Sequence, residues 1–371
     1  QAEDGIRDLV RSRGLGDVYK RQVRGNLERI RGWLPHRLSI LLVVKEDAYG
    51  HGLLPIARAA QGIADWFGVA HVSEARALRR AGFAQPIFIM TPPTGPSLVQ
   101  AIREGYHLPL GDSGMIPELD QAALRAGRQA LVHIEVDTGM GRFGLLPEEA
   151  ERALRRLDRN RIEIVGVYSH LSSANGCSAE DLHFTRAQVW WFRKVLEDWE
   201  RRGIEIPWRH LANSAAVLAF DEAAAAPLNM VRVGTAAYGY PEGPAPPPVE
   251  LVPAARVWTE VAAVRDLPRG WPVGYGRGYV TRDPQRVAIL AAGYGDGLRP
   301  ELKRVVIRDQ AAELLGRLGM DSVAADVSGI ERISRGDRAL LFGPGVASHQ
   351  GWICPVLVPV LLSARRRWVR S

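Results

Sequence analysis

Lys45 ends the apolar run LLVV and is followed by EDAYGHG. An amine placed where a strand leaves an apolar core loses part of its hydration. That lowers its pKa and suits it to Schiff-base chemistry. A lysine there also has a plain reading, as a side chain reaching out to solvent. The ends of other apolar runs bear on the choice. ALVHIEV runs into DTGMGRFG and delivers Arg142 on a glycine-rich loop. EIVGVYSH ends at His170, and WRHLANS ends at Ser214, at an expected helix start. MVRVG carries Arg232 and leads into Gly234 and Thr235. Singly, Ser214 reads as a helix cap, His170 as a packed core histidine and Arg142 as a surface cation. Together they offer an amine, a phosphate cradle and facing Arg and His side chains, a set suited to pyridoxal phosphate.

Side chains at successive strand ends converge if the strands are parallel and neighbouring. The expected strands are 38–45, 66–71, 86–90, 106–111, 130–136, 163–170, 208–214 and 230–234. Segments of helical composition, such as SEARALRRAG and PEEAERALRRLD, lie between them. That alternation predicts an α/β fold, a (β/α)8 TIM-type barrel over residues 23–240, with chemistry at the C-terminal ends of its strands. No G-x-G-x-x-G follows the first strand, which argues against an open dinucleotide-binding sheet. Residues 241–254 are proline-rich and read as a semi-rigid linker. Residues 255–371 show short period-two runs broken by Gly, Pro and Asp, which predicts a mostly β C-terminal domain. Residues 1–22 lack a signal-peptide pattern and are expected to be a non-native leader.

The chain has 371 residues, with 46% hydrophobic and 24% charged, an ordinary globular balance. Disordered, fibrous and membrane-spanning classes are excluded on composition; no run of about 18 apolar residues occurs without charge. The two cysteines, Cys177 and Cys354, do not make a disulfide framework, so a reduced cytoplasmic setting is expected. The net charge of +7 sits mainly in Arg365, Arg366, Arg367 and Arg370. A near-neutral body with a basic tail does not call for a nucleic-acid partner. Only four lysines occur, Lys20, Lys45, Lys194 and Lys303, and only Lys45 ends a barrel strand.

The ordered segments VVKEDAYGHG, VDTGMGRFG, HLANSAA, VRVGTAAYG, VGYGRGY, AAGYGDGLRP and GRLGMDS resemble the motifs of the alanine racemase family, fold-type III pyridoxal-phosphate enzymes. The resemblance runs from residue 23 to about residue 345. It implies interconversion of L- and D-alanine by two bases, with D-alanine supplied for peptidoglycan. Lys45 would bind pyridoxal 5'-phosphate covalently and act as the base on the D side. Tyr275 would act on the L side, reaching the barrel of another subunit, so that a homodimer shares its active sites. Tyr49, Ser214, Gly234 and Thr235 would hold the phosphate. Arg232 would meet the pyridine nitrogen, and His170 would lie against the ring. Arg142 and the partner's Met320 would contact the substrate carboxylate. Asp321 follows Met320 in the same loop, and Tyr294 stands in AAGYGDGLRP as a supporting residue. An amino-acid substrate is the implied small-molecule partner, with no membrane or nucleic acid.

Several positions depart from the family pattern. Glu46 stands where a small residue is usual, and Val233 replaces a common proline. Glu135 occupies the place of a lysine that is often carbamylated to an anion. It is expected to pair with Arg142 and to remove any need for carbon dioxide. Ala364 stands where many members have a tyrosine. The family's opening strand and helix start are replaced by residues 1–22. A broad-specificity or serine racemase of the same fold is the main alternative. A fold-type III amino-acid decarboxylase is the remote one; it would bring a cysteine-bearing loop and a carboxylate at the ring nitrogen, where Arg232 stands.

Overall fold

The computed structural model describes residues 15–298, 300 and 302–343. Residues 1–14, Cys354, Ala364 and the C-terminal arginines, on which expectations were stated above, fall outside them. The chain divides into two compact units. One is Val23–Leu251; the other holds the described residues from Val252 on, with those before Val23.

Helix α1 (Leu15–Trp33) begins inside the segment set apart as a leader. Val23, Leu27 and Ile30, spaced i, i+4, i+7, are fully buried along one face. Between them the Asn26 side chain donates to the Ala237 carbonyl at 3.1 Å. From Val23, where the expected leader ends, the helix packs as part of the barrel unit.

Among the described residues, eight parallel strands close a barrel in the order β1 to β8. They are Ser39–Val43, Trp66–Val69, Ile87–Ile89, His107–Leu110, Ala130–Glu135, Ile162–Tyr168, Trp208–His210 and Met230–Val233. β1 closes the ring on β8, from Ser39↔Met230 to Leu42↔Val233. Helices α2 (Leu53–Ala59), α3 (Val72–Arg80), α4 (Gly95–Arg103), α5 (Ile116–Ala126), α6 (Pro147–Arg156), α7 (Ala179–Arg201) and α8 (Ser214–Ala219) cross between strands. The strands read as apolar runs because helices cover the outer face and side chains fill the inner one. Leu41, Val43, Trp66, Phe88, Tyr168 and Met230 form one interior cluster. Burying each such side chain contributes roughly 1.5–3 kcal/mol.

Every strand ends before its expected last residue. The residues left over, such as Lys45, His170 and Ser214, lie beyond the C-terminal ends of the strands. The second unit is also β-rich, as expected. Among the described residues, six antiparallel strands close in the order β12-β15-β14-β13-β16-β9, with a separate two-stranded sheet of β10 and β11. They are β9 Val257–Leu267, β10 Pro272–Val273, β11 Tyr279–Val280, β12 Gln285–Leu290, β13 Arg304–Ile307, β14 Gln310–Leu315, β15 Val323–Asp326 and β16 Arg338–Phe342. Among the described residues no helix is long and apolar enough to cross a membrane.

Candidate active site

Lys45 does not end β1. It opens a left-handed turn, in which Glu46, Asp47, Ala48 and Tyr49 all have φ between 53° and 55°. Such a backbone costs L residues roughly 1–2 kcal/mol each. Fixed partners hold it. Glu74 of α3 accepts from the Asp47 N–H at 2.9 Å and the Ala70 N–H at 2.9 Å. Asp47 accepts from the Leu53 N–H at 2.8 Å. Tyr49 meets Tyr238 edge-on at 5.1 Å, and the Tyr238 hydroxyl donates to the Val43 carbonyl at 3.2 Å. The turn carries Tyr49 round to Tyr238 and Gly234, three residues beyond Lys45.

The Lys45 amine is held below its ordinary pKa, first by burial and then by the charge of Arg142. Glu46 and Glu74 oppose that shift. A depressed amine pKa leaves more free base near neutral pH, the form that attacks carbonyl carbon. Arg142 rides a loop that Asp137 ties down by accepting from the N–H groups of Gly139, Met140 and Gly141 at 2.7–2.9 Å.

Arg232 of β8 is 2% exposed. Its Nη1 donates to His210 Nδ1 at 2.9 Å. Its Nη2 donates to the Ser169 carbonyl at 2.8 Å, the Leu211 carbonyl at 2.9 Å and His170 Nδ1 at 3.1 Å. Both Nη groups are therefore spent on the protein. Among the described residues Nε has no partner. Burial pushes the Arg232 pKa down to about 10, so the guanidinium stays charged at neutral pH.

Asn213, not Ser214, caps α8, accepting from the Ala216 N–H at 3.1 Å. Ser214 is free for another task. Its Oγ accepts from the Gly234 N–H at 2.8 Å and the Ala236 N–H at 3.3 Å. A β-carbon on Gly234 would come within 2.8 Å of the Tyr49 hydroxyl, so only glycine permits this approach. Thr235 follows at the start of a 3-10 turn, Thr235–Tyr238. Ser214, Gly234, Thr235 and Tyr49 are thus brought together.

Glu135 departs from expectation. Among the described residues it makes no ion pair with Arg142; it accepts from the Tyr168 hydroxyl at 2.7 Å. The ladder explains this, because Glu135 lies directly across from Tyr168 in the β5–β6 register. The carboxyl is 5% exposed, and burial raises its pKa. The charges of Arg232 and Arg142 still act on it in the opposite sense. Tyr168 stacks on His210 at 4.9 Å and 4°. Tyr168 and His210 escaped sequence reasoning because each reads as an ordinary interior residue of an apolar strand.

In the second unit Tyr275 begins a 3-10 turn, Tyr275–Arg277, and is 71% exposed. Tyr294 and Met320 are exposed nearby. The Tyr294 N–H donates to the Gly319 carbonyl at 3.0 Å and the Gly295 N–H to the Met320 carbonyl at 2.8 Å. A β-carbon on Gly319 would lie 3.7 Å from the Tyr275 ring. Asp321 accepts from the Ser322 hydroxyl at 3.2 Å. Arg317 lies beside the same loop, its Nη1 3.6 Å from where a Gly276 β-carbon would stand. It is a cation close to Tyr275 that the motif GRLGMDS contained without drawing notice.

The sequence matches the profile of the alanine racemase N-terminal domain over residues 18–242 and that of the alanine racemase C-terminal domain over residues 254–353. The chain belongs to the alanine racemase family. It is 37% identical over 315 residues to the alanine racemase of Thermobifida fusca, covering 83% of this chain and 82% of that one. It is 35% identical over 333 residues to that of Symbiobacterium thermophilum, covering 88% and 86%. Among solved structures, alanine racemase from D-cycloserine-producing Streptomyces lavendulae superposes with a TM-score of 0.76 at 29% identity, covering 93% and 94%. That of Bacillus anthracis, with bound L-Ala-P, gives 0.73 at 26%, covering 93% and 92%.

The site has a consequence for stability. His107 and His170 are held down to about 4 and about 3, chiefly by burial, and His133 and His210 lie well below 6.5 for the same reason. The unfolded chain takes up these protons near pH 6.5, whereas the folded chain refuses them. The histidine contribution to stability is therefore complete above pH 6.5 and falls as pH drops toward 4, by about 1.4 kcal/mol per unit for each histidine. Glu135, with its raised pKa, offsets one proton. Urea midpoints measured from pH 8 to 5 are expected to fall steeply below 6.5, and His107→Gln to make the slope shallower by about one proton's worth.

Proposed function

We propose that the chain is an alanine racemase that holds pyridoxal 5'-phosphate on Lys45 and passes the Cα proton of alanine between two bases. The observation that carries this is the buried Lys45 amine, depressed by burial and Arg142, in the same strand-end set as Arg232 and the Gly234 cradle. The residues fit the cofactor. A cradle that a β-carbon would fill suits a phosphate, and an arginine whose Nη groups are spent keeps Nε–H for a ring nitrogen.

When bound, pyridoxal phosphate supplies an aldehyde for an amine to condense with and a ring that takes up the electron pair left at Cα. The Ser214, Thr235 and Tyr49 hydroxyls, gathered around Gly234, would hold its phosphate. Arg232 would offer its Nε–H to the ring nitrogen and, staying charged, would not give up that proton, which would temper electron uptake and disfavour decarboxylation. His170, bonded to Arg232, would pack against the cofactor. Arg142, with Met320 of the partner subunit, receives the substrate carboxylate. Lys45 Nζ takes or returns the proton on the D side. The hydroxyl of Tyr275 of the partner subunit does so on the L side, because inversion needs a base on each face of one carbon. A homodimer that shares its sites follows, with exposed Tyr275 and Met320 suited to reach a second barrel. D-alanine for peptidoglycan, made in the cytoplasm, is the product this role implies.

Glu135 supports the site through charge. Glu135→Gln keeps an acceptor for Tyr168 but removes the anion near Arg142. It is expected to raise the KM for alanine about 3- to 10-fold with kcat nearly unchanged. As pH falls through the raised pKa of Glu135, the wild-type carboxyl becomes neutral too, so the two KM values should converge. Added bicarbonate should alter neither.

The test of the reading is D-enantiomer formation from single L-amino acids by the cofactor-loaded chain. Alanine as the preferred substrate supports it. Equal rates on many amino acids point to a broad racemase, and release of carbon dioxide to a decarboxylase.

A further inference from the structure

A line of imidazoles crosses the barrel interior behind Arg232. His210 Nε2 lies 3.0 Å from His133 Nδ1, and His133 Nε2 lies 3.0 Å from His107 Nδ1. The three come from β7, β5 and β4. His133 and His210 are fully buried. The arrangement is built into the strands. A β-carbon on Gly166 would stand 2.0 Å from His133 Nδ1, so β6 gives up a side chain there to make room for the ring. Trp66, Phe88 and Tyr168 wall the column.

Each contact in the line needs one proton, and Arg232 decides where it sits. A guanidinium has donors only. His210 Nδ1 must therefore accept from Arg232, which puts the His210 proton on Nε2. That proton is donated to His133 Nδ1, which puts the His133 proton on Nε2 in turn. The same step fixes His107. An added proton anywhere would set two N–H groups face to face.

We propose that His107, His133 and His210 form a one-way hydrogen-bonded column whose tautomers are all set by Arg232, and that the column positions the Arg232 guanidinium. The lone pairs of all three rings point toward the guanidinium, so their dipoles add in its favour inside a low-dielectric core. Nη1 is pinned by this column and Nη2 by backbone carbonyls and His170. The only hydrogen-bond donor then left to a ligand is Nε–H. This last role rests on the proposed function; the column itself does not. His107, His133 and His210 are thus positioning residues that touch neither cofactor nor substrate.

The tautomers are read by long-range proton–nitrogen NMR on the full chain labelled with 15N-histidine. In the wild type, all three Nδ1 signals are expected in the unprotonated range and all three Nε2 signals in the protonated range. Arg232→Glu replaces the donor by an acceptor. It should reverse the column, moving Nδ1 of all three histidines to the protonated range, including His107, which Arg232 does not touch. An unmoved His107 in a folded Arg232→Glu protein overturns the proposal. If that variant does not fold, His133→Phe decides. It should shift His107 Nδ1 and leave His210 Nδ1 unprotonated. No change at His107, or protonated Nδ1 on any of the three in the wild type, overturns the proposal. Neither outcome depends on racemase activity, so the column and the functional reading fail separately.

Discussion

Lys45→Ala is expected to abolish racemisation, by more than about 10⁴-fold, because in the proposed function one group would supply both the covalent anchor and a base. The other lysines offer no replacement. Lys194 is paired with Glu197 at 2.9 Å on the surface of α7, and Lys303 donates to the Pro300 carbonyl in the second unit. The loss should appear in two measurements. D-alanine formation should fall to background, and added pyridoxal phosphate should be removed by dialysis, whereas the wild-type chain retains it. The left-handed turn that presents Lys45 is held by Glu74 and Asp47, so truncating Lys45 should leave the thermal midpoint nearly unchanged.

Tyr275→Phe is expected to lower racemisation by about 10²- to 10⁴-fold, the range set by removing one acid–base group. The residual chemistry should be lopsided. Lys45 remains able to take the Cα proton of D-alanine and return one to the same face. In D2O, D-alanine should exchange its Cα hydrogen for deuterium without becoming L-alanine, while L-alanine stays inert. Equal exchange from both enantiomers would assign both faces to Lys45 and remove Tyr275 from the mechanism.

Much of this was legible in the sequence, for a physical reason. Parallel strands covered on both faces are short apolar runs, so eight such runs with helices between them predict a closed barrel. The candidates at their ends, Lys45, Arg142, His170, Ser214 and Arg232, follow from where those runs stop. What escaped the reading depends on register and on backbone sign. Four consecutive left-handed residues after Lys45 leave no mark in composition, since none of them is glycine. The partner of Glu135 was set by its place across from Tyr168, which single-strand patterns do not reveal. The plain reading of Ser214 as a helix cap fails because the preceding Asn213 takes that role and frees the serine. His107, His133 and His210 are each a lone histidine in an apolar strand, and only closure of the barrel brings them into line.

The central claim is that two bases act on opposite faces of one carbon. Its most direct test is to incubate the cofactor-loaded chain with L-alanine in D2O and follow the methyl and Cα proton signals together with the enantiomer ratio. The account predicts that each D-alanine formed early carries deuterium at Cα while the remaining L-alanine keeps its proton, and that D-alanine retaining the substrate's own proton, returned by one base, contradicts it. Deuterium entering L-alanine while no D-alanine forms, or loss of the carboxylate as carbon dioxide, would contradict it.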